Sequence, residues 1–231
     1  MSPRLRGVRA GIRDSWAVAL GLIPLGLAFG LLMTQVGFAW WWTPIFSVLI
    51  YAGSMEFLAI NLVTAGVGPM SATVTAFMVN FRHIFYGLTF PRDLVHGRSG
   101  RAYSTYALTD ESYAIASARH PGSGTQLLTI QAFCQSMWVL PGIVGALVGE
   151  VIPADIQGME FALVALFVVL AWETFRNNRD LSLPLTAGAL ALLASLTVPG
   201  QLLMIALSAY FVLLWARHLS PALDRALEWR I

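Results

Sequence analysis

The sequence Asn80-Phe81-Arg82-His83 places an amide, a guanidinium and an imidazole inside an otherwise apolar segment. Residues 70–79 (MSATVTAFMV) precede it and residues 84–90 (IFYGLTF) follow it, and neither run contains a charge. On a helix that starts at Pro69, Arg82 would lie roughly 20 Å from the start, well inside a hydrocarbon core about 30 Å thick. An arginine at that depth costs about 2.5–3.5 kcal/mol on insertion scales. We therefore expect Arg82 to face protein or water rather than lipid.

The composition of the whole chain predicts a membrane protein. Of its 231 residues, 57% are hydrophobic and 11% are charged, and the mean hydropathy is +0.70. Soluble domains carry about 25% charged residues. Residues 125–149 and 181–216 contain no charge and are long enough to span a bilayer. We predict an all-α polytopic membrane protein with seven or eight transmembrane or re-entrant helices.

Charge, histidine and cysteine content argue against several other classes. The formal net charge is +2 without a run of like charges, so we expect no nucleic-acid partner. The single cysteine, Cys134, lies in an apolar run and is interpreted as a small packed residue. An intramembrane enzyme is the rival class, but no histidine pair has metal-ligand spacing on one helix. We predict no enzyme, no metal and no cofactor.

The distribution of arginines predicts the domain limits and the topology. Residues 1–14 are expected to be a basic cytoplasmic lead, residues 15–216 a single helical transmembrane domain, and residues 217–231 a cytoplasmic tail, because basic segments stay inside. Eight simple spans would put the basic 92–101 loop outside. Either that loop breaks the rule, or one of the segments 45–64 and 102–118 fails to cross. The second of these could be a thin span, a re-entrant helix or an interfacial one.

Two features predict irregular helices. Residues 51–56 (YAGSME) put a glycine-serine pair beside a carboxylate in the middle of the second apolar segment, which predicts a broken helix lining a cavity or buried in protein. Pro24, Gly26 and Pro141 are predicted hinge positions within their helices. Pro24 and Glu56 have the same separation as Pro141 and Glu173, which suggests an internal duplication of residues 16–97 in residues 131–216.

A polar constellation surrounds Arg82. The available counter-charges are Glu56, Asp110, Glu111 and Glu173. An amino acid zwitterion needs a cation and an acid, and Arg82 with Glu56 offers one of each, while His83 could carry a coupled proton. The alternative is structural: Arg82 and His83 lock helices together, Asp110 and Glu111 are solvated at the interface, and Glu173 snorkels to nearby arginines. The predicted substrate and proton pathway comprises Gly53, Ser54, Glu56, Asn80, Arg82, His83, Tyr86, Asp110 and Glu111.

Several motifs together resemble the AzlC family of bacterial branched-chain amino acid exporters. The resemblance covers about residues 15–215 and is carried by residues 24–26 (PLG), 51–57 (YAGSMEF), 80–83 (NFRH), 109–114 (TDESYA) and 158–163 (GMEFAL). It implies a large subunit of a two-component permease in the bacterial inner membrane. It also implies a small hydrophobic AzlD-type partner and export of leucine, isoleucine and valine, with methionine as a further candidate.

One position departs from the pattern of that family. Where the family tends to have glutamine before phenylalanine, this chain has Glu56 before Phe57. The extra carboxyl could alter proton coupling or substrate range. The competing functional hypothesis is a channel-like or scaffold subunit whose transport site lies in the partner.

Overall fold

The computed structural model describes residues 2–152, 168, 172, 175, 179–198 and 202–230, apart from the side chains of 203 and 204. The helices of these residues, numbered in chain order, are α1 (Pro3–Gln35), α2 (Trp42–Leu49), α3 (Gly53–Thr64), α4 (Pro69–Asn80), α5 (Arg82–Thr89), α6 (Arg98–Tyr106), α7 (Asp110–Arg119), α8 (Gly124–Val151), α9 (Ser182–Thr197), α10 (Leu202–Leu219) and α11 (Pro221–Leu227). The fold is all-α, as predicted. Among the described helices α1 and α8 are long and apolar enough to cross a membrane, and α9 and most of α10 are shorter apolar helices.

The chain forms two compact units. The first comprises Met1–Thr64 and Phe81–Gln157, and the second comprises Ala65–Asn80 and Gly158–Ile231. The division falls at Phe81, where α4 ends and α5 begins, inside the Asn-Phe-Arg-His sequence. The apolar segment that surrounds the Asn-Phe-Arg-His sequence is therefore two helices that belong to different units.

Helix α1 is continuous from the basic lead into the first apolar segment. Ser2 caps it by accepting a hydrogen bond from the Leu5 N–H at 3.4 Å, and Pro3 occupies its first turn, where a missing N–H costs nothing. Its 33 residues correspond to about 50 Å, longer than a hydrocarbon core of about 30 Å. The first turns of α1 therefore extend beyond the apolar layer.

Helices α1 and α8 run parallel and pack through glycines. Gly7 lies against Thr125 near the start of both helices, Gly30 lies against Gly142, and Gly149 lies against Thr34 near their ends. A Cβ on Gly30 would fall on the Gly142 carbonyl oxygen, so the two backbones touch there. Small residues allow this close approach, which supplies van der Waals contact between helices in lipid.

Residues that face each other in α1 and α8 differ in residue number by about as much as Pro24 and Pro141 do. Each of the two helices opens one of the predicted repeats, so the equivalent helices pack side by side in parallel. Most of residues 153–178, including Glu173, lies outside the described residues. The duplication of residues 16–97 in 131–216 therefore stays a prediction.

Helices α2 and α3 form a hairpin that enters from the C-terminal end of the α1–α8 pair and returns. Thr43 in α2 contacts Gly142, Gly53 at the tip contacts the Trp138 ring, and the Phe57 ring packs 5.4 Å from that of Phe29, which is again level with Gly142. The Ser47 hydroxyl lies 2.7 Å from a Glu56 oxygen although the residues are 9 apart. On a straight helix they would be about 13 Å apart. The predicted broken second helix is confirmed, and it doubles back.

The tip of this first hairpin is built on a strained residue. Tyr51 has φ +40°, in the left-handed region, and its side chain is buried. A non-glycine residue in that region costs of the order of 1 kcal/mol and persists only where packing holds it. The chain therefore reverses at residues 50–52 through a conformation that its surroundings impose.

Helices α6 and α7 form a second hairpin, which enters from the opposite end. Val95 and Ala116, which precede and end the hairpin, pack in one cluster with Leu127 near the start of α8. Between them the chain reaches Glu111, which lines a cavity with Trp138 near the middle of α8. The segment 102–118 is therefore re-entrant, with its turn at residues 107–109.

The two hairpins resolve the position of the basic 92–101 loop. Leu94 lies against Gly124 at the start of α8, where Gly7 of α1 also packs, so the loop is at the N-terminal end of α1. The sequence left two alternatives open: this loop breaks the rule, or one of the segments 45–64 and 102–118 fails to cross. The structure agrees with the second alternative and extends it, because both segments return to the end they came from, which leaves the basic loop at the same end as the basic N-terminus.

In the second unit, a buried ion cluster fixes the end of the chain. Arg217 in α10 donates from Nη2 to Asp180 at 2.8 Å and from Nε to Asp224 in α11 at 2.7 Å. Asp180 also accepts hydrogen bonds from Ser182 and from the Trp229 N–H. Burial acts to raise the pKa of Asp180, but these hydrogen bonds outweigh it and hold the pKa well below the ordinary value. The tail is therefore fastened to the helix ends rather than extended.

Candidate functional site

Arg82 and Asp110 form a two-pronged ion pair where the tips of the hairpins meet. The Arg82 Nε donates to Asp110 Oδ1 at 2.8 Å, and Nη2 donates to Oδ2. The same Nη2 lies 3.4 Å from the Ser54 hydroxyl at the tip of the first hairpin. Arg82 thus joins α5 to both hairpins. Of the counter-charges that the sequence left open, the structure selects Asp110.

Local sequence explains why Asp110 is in place. Thr109 caps α7 and forms a reciprocal capping box with Ser112, which starts the helix at Asp110. Acidic residues in the first turn of a helix are stabilised by its dipole, and Asp110 and Glu111 both occupy that turn. The side chains of Arg82 and Asp110 remain 42% and 43% exposed, so the pair is open enough for a ligand to reach it.

A small cavity lies beside this ion pair. It has a volume of about 20 Å³ and is lined by Leu22, Tyr51, Gly53, Thr109, Glu111 and Trp138. That volume suffices for about one water molecule. Glu111 supplies its charged group, whereas the aromatic rings and Leu22 supply apolar walls.

Glu56 does not pair with Arg82, which corrects one arrangement considered from the sequence. It is fully buried and accepts hydrogen bonds from the Ser47 hydroxyl at 2.7 Å and from the Trp138 indole N–H at 3.1 Å to each oxygen. Both donors are neutral. Glu56 therefore occupies a site of its own between α2, α3 and α8.

Two further predicted residues lie near the ion pair. Tyr86 stacks on Tyr113 with ring centroids 4.3 Å apart, and its hydroxyl lies beside Asp110. His83 contacts Tyr86 edge to face at 5.4 Å. Asn80 belongs to the other unit, where its amide donates to the Ala76 carbonyl at 3.0 Å. Its part in a pathway stays a prediction.

Sequence analysis missed one face of α8, which carries Gln131, Gln135 and Trp138. The Gln131 amide donates to the Ser104 carbonyl at 2.8 Å, and Gln135 holds the hydroxyl of Tyr106 at 3.0 Å. The Tyr106 hydroxyl in turn donates to the Val48 carbonyl at 2.6 Å. The carbonyls of Ser104 and Val48 lose their helical partners because the helices break just after them.

This face therefore satisfies backbone groups that the two turns leave open within the membrane, where water cannot do so. A signal for it was present in the sequence. The three residues are spaced so that they share one side of a helix, and they are the larger polar or amphipathic groups of an apolar segment.

The predicted hinges lie within continuous helices. Pro24 is inside α1 and Pro141 is inside α8, while Gly26 packs against the Trp138 carbonyl. Gly26 thus serves helix packing in this conformation. Whether these positions bend during function stays a prediction.

The all-α architecture, with two long apolar helices and further shorter ones, is that of a polytopic membrane protein. The model of the AzlC protein family matches residues 17–152, more than half of the chain. The chain belongs to the AzlC family. The matched region covers most of the first unit, including both hairpins and Arg82, together with Ala65–Asn80 of the second unit. Family naming points to a transport protein rather than an enzyme.

Relatives in several bacteria agree with this assignment. The chain is 30% identical over 180 residues to an uncharacterized membrane protein of Helicobacter pylori, covering 76% of this chain and 79% of the relative. It is 30% identical over 163 residues to the branched-chain amino acid transport protein AzlC of Bacillus subtilis (69% and 64%). It is also 30% identical over 199 residues to the inner membrane protein YgaZ of Escherichia coli (81% and 80%). No solved structure matches.

Proposed function

We propose that this chain is the large subunit of a secondary transporter that exports branched-chain amino acids. Leucine, isoleucine and valine are the proposed substrates, with methionine as a further one. The proposal takes its substrate class from the family and from the printed name of the Bacillus subtilis relative. The single observation that carries it is the Arg82–Asp110 pair, a matched cation and anion at the meeting point of two re-entrant hairpins.

The ion pair suits a zwitterion because the pair and the zwitterion each consist of one positive and one negative group. An amino acid that enters between them can place its carboxylate on Arg82 and its ammonium on Asp110. The guanidinium binds a carboxylate in the same fork geometry that it now uses for Asp110. Both charges therefore keep a partner before and after the amino acid binds.

Binding requires the hairpin tips to part. The present cavity of about 20 Å³ is too small for leucine, so the described conformation is closed to this substrate. Leu22, Tyr51 and Trp138 form its walls, and they would contact an aliphatic side chain when the tips separate. Ser54 and Gly53 at the start of α3 offer backbone and hydroxyl donors to the carboxylate.

The proposed driving force is proton antiport. Glu56 and His83 are the groups proposed to bind the proton, because carboxyl and imidazole groups both exchange protons, and the described hydrogen-bond donors to Glu56 are neutral. The proposed partner is a small hydrophobic AzlD-type subunit. The proposed location is the bacterial inner membrane with the N-terminus in the cytoplasm, which the arginines at the start of α1 support.

The direct test is leucine efflux from preloaded cells that express the chain with and without the small partner, at two external pH values. Efflux that needs both chains and responds to the proton gradient is expected. Arg82→Ala and Glu56→Gln should abolish flux while the two subunits still assemble. Leucine loss no faster than in empty-vector cells in every condition would refute the substrate assignment. Loss of assembly in Arg82→Ala would instead favour a scaffold.

A further inference from the structure

Glu56 lies in a pocket in which the described residues offer it no charged hydrogen-bond partner. Its hydrogen-bond donors, Ser47 and Trp138, are neutral. The titratable groups that face it from the surrounding helices are the Tyr106 hydroxyl on α6 and, beyond Trp138, Glu111 on α7. Helix α2 carries no charged residue, and α8 carries only Glu150, near its end. A negative charge on Glu56 would therefore be neutralised by a bound proton rather than by a neighbouring cation.

Helix α2 presents a row of buried hydroxyls that leads to this carboxyl. Thr43 and Ser47 lie one turn apart on the same face, about 6 Å along the axis, and both are 0% exposed. Ser47 contacts Glu56 directly, whereas the Thr43 Oγ1 has no hydrogen-bond partner within the described part of the chain. A buried hydroxyl without a partner costs about 1–3 kcal/mol, so its retention calls for an explanation.

Backbone hydrogen bonds tie the start of α2 to Glu150, which lines an open cavity at the C-terminal end of α8. The Thr43 N–H donates to the Trp40 carbonyl, and the Trp40 N–H donates to Glu150 at 3.3 Å. Glu150 lines a cavity of about 540 Å³ with Gln35 and Phe38. An acidic residue at such a mouth collects protons, and the Thr43 hydroxyl is the first buried hydroxyl of α2 below it.

We propose that Glu56 is a proton-binding site that is filled from the Glu150 end of α8 through Thr43 and Ser47. One water bridges the two hydroxyls. Each hydroxyl oxygen accepts a proton from the side of Glu150 and releases its own toward Glu56, so that one proton is added to the carboxylate for each one taken from solvent. The use of this proton in amino acid export rests on the proposed function; the route itself does not.

The competing explanation is that the hydroxyls only solvate Glu56. The variant Thr43→Val separates the two explanations, because it keeps the shape of the side chain and removes an oxygen that forms no hydrogen bond. If Thr43 only fills space, the change leaves the chain equally or more stable and has no effect on proton access. If Thr43 is part of the route, proton access slows although the fold is unharmed.

The experiment follows the infrared carbonyl band of protonated Glu56, which Glu56→Gln removes, in vesicles that hold the full chain in one orientation. The pH is lowered rapidly on one side at a time. Protonation should be about tenfold or more faster from the Glu150 side, and Thr43→Val and Ser47→Ala should each slow it by about tenfold or more, in the range of positioned proton-transfer groups.

The matched controls are Thr129→Val and Ser15→Ala, whose hydroxyls donate to carbonyls of their own helices at 2.7 Å. In both variants Glu56 should be protonated at the wild-type rate. Equal rates from the two sides, a wild-type rate in Thr43→Val, or no band that depends on Glu56 would overturn the inference. Leucine efflux by wild type together with such a result leaves the transport function standing, whereas a slowed Thr43→Val without efflux by wild type supports the route and refutes the substrate.

Discussion

At the scale of single residues, Arg82 organises the candidate site because it connects three helices. Its guanidinium holds Asp110 on α7 and reaches Ser54 on α3 from its own position at the start of α5. A half-exposed ion pair contributes little to stability, about 1 kcal/mol or less. Removing it should therefore affect function far more than folding.

The first prediction concerns Arg82→Gln. The variant should insert and unfold almost as wild type does, with a stability loss of about 1 kcal/mol or less. Its leucine transport should fall about tenfold or more, since the substrate carboxylate loses a charged, two-pronged donor. Thermal unfolding and efflux measured on the same preparations test this. Arg13→Gln, which removes an exposed ion pair with Asp14, is the matched control and should transport normally.

The sequence predicted the environment of Arg82 but not its partner. The cost of a charge in hydrocarbon was sufficient to expect protein or water around it. From the sequence alone, Asp110 and Glu56 were equally possible partners of Arg82, because the pairing depends on where two chain reversals place these carboxylates. Glu56 instead accepts a hydrogen bond from Trp138, which lies far from it in sequence, and no local pattern links these two residues.

At the scale of elements, the glycine contacts between α1 and α8 form the frame that the hairpins enter. Gly30 lies on the Gly142 carbonyl, whereas a Cβ on Gly21 in the same helix would meet no atom within 4 Å. The two glycines therefore lie in the same helix, but only Gly30 of the two is in close contact with α8.

The second prediction uses this pair of glycines. Gly30→Ala should destabilise the chain by about 1–3 kcal/mol or more, because the backbones must separate to admit the methyl group. Gly21→Ala should be neutral or stabilising by about 0.5–1 kcal/mol, since alanine is the better helix former. Chemical unfolding of the two variants in the same detergent measures the difference. Equal stability of the two would contradict the close packing of α1 on α8.

The third prediction concerns the ion cluster at the tail. Because the pKa of Asp180 is lowered in the folded chain, its ionised form stabilises the tail fully above the ordinary aspartate pKa of about 4, and this stabilisation declines as the pH falls from there toward the lower pKa of the folded chain. Hydrogen exchange at Trp229, corrected for its intrinsic pH dependence, should lose protection over that acid range. Asp180→Asn should show weak protection at every pH. Wild-type protection that persists unchanged to the lowest pH would contradict this assignment.

The two helix breaks were not equally visible in the sequence. The break at residues 50–52 was predicted from a glycine-serine pair beside a carboxylate. The break at residues 107–109 was not, although Thr109 and Ser112 form the capping box that begins α7. Hydroxyls in a short, mixed segment are as common at interfaces as at caps, so the pattern alone could not distinguish a re-entrant turn from a surface helix.

At the scale of the whole molecule, the hairpins decide which loops share a side. Eight simple crossings would place the basic 92–101 loop outside, and charge counting alone could not decide whether the loop or one of the segments was the exception. Once both return, the basic N-terminus and this loop lie at one end of α1, and the basic residues follow the expected rule.

The fourth prediction tests this topology with single cysteines in a Cys134→Ser background, where the native thiol is buried. Cysteines at Ser2 and Ser99 should react with an impermeant maleimide from one side of the membrane. Cysteines at Trp41 and Thr64 should react from the other side, because α3 returns to the end at which α2 starts. Reaction of Thr64→Cys from the same side as Ser2→Cys would show that the segment 45–64 crosses.

The most direct test of the central claim is competition for leucine binding to the assembled transporter by two analogues that each lack one charge. Isocaproate keeps the carboxylate and isoamylamine keeps the ammonium, with the same aliphatic chain. If leucine opens the Arg82–Asp110 pair and satisfies both groups, unlabelled leucine should displace the bound label, and each analogue should compete about 100-fold or more weakly, since a charged group is left unpaired. Competition by either analogue at the strength of leucine would contradict the claim that both charges are recognised at this pair.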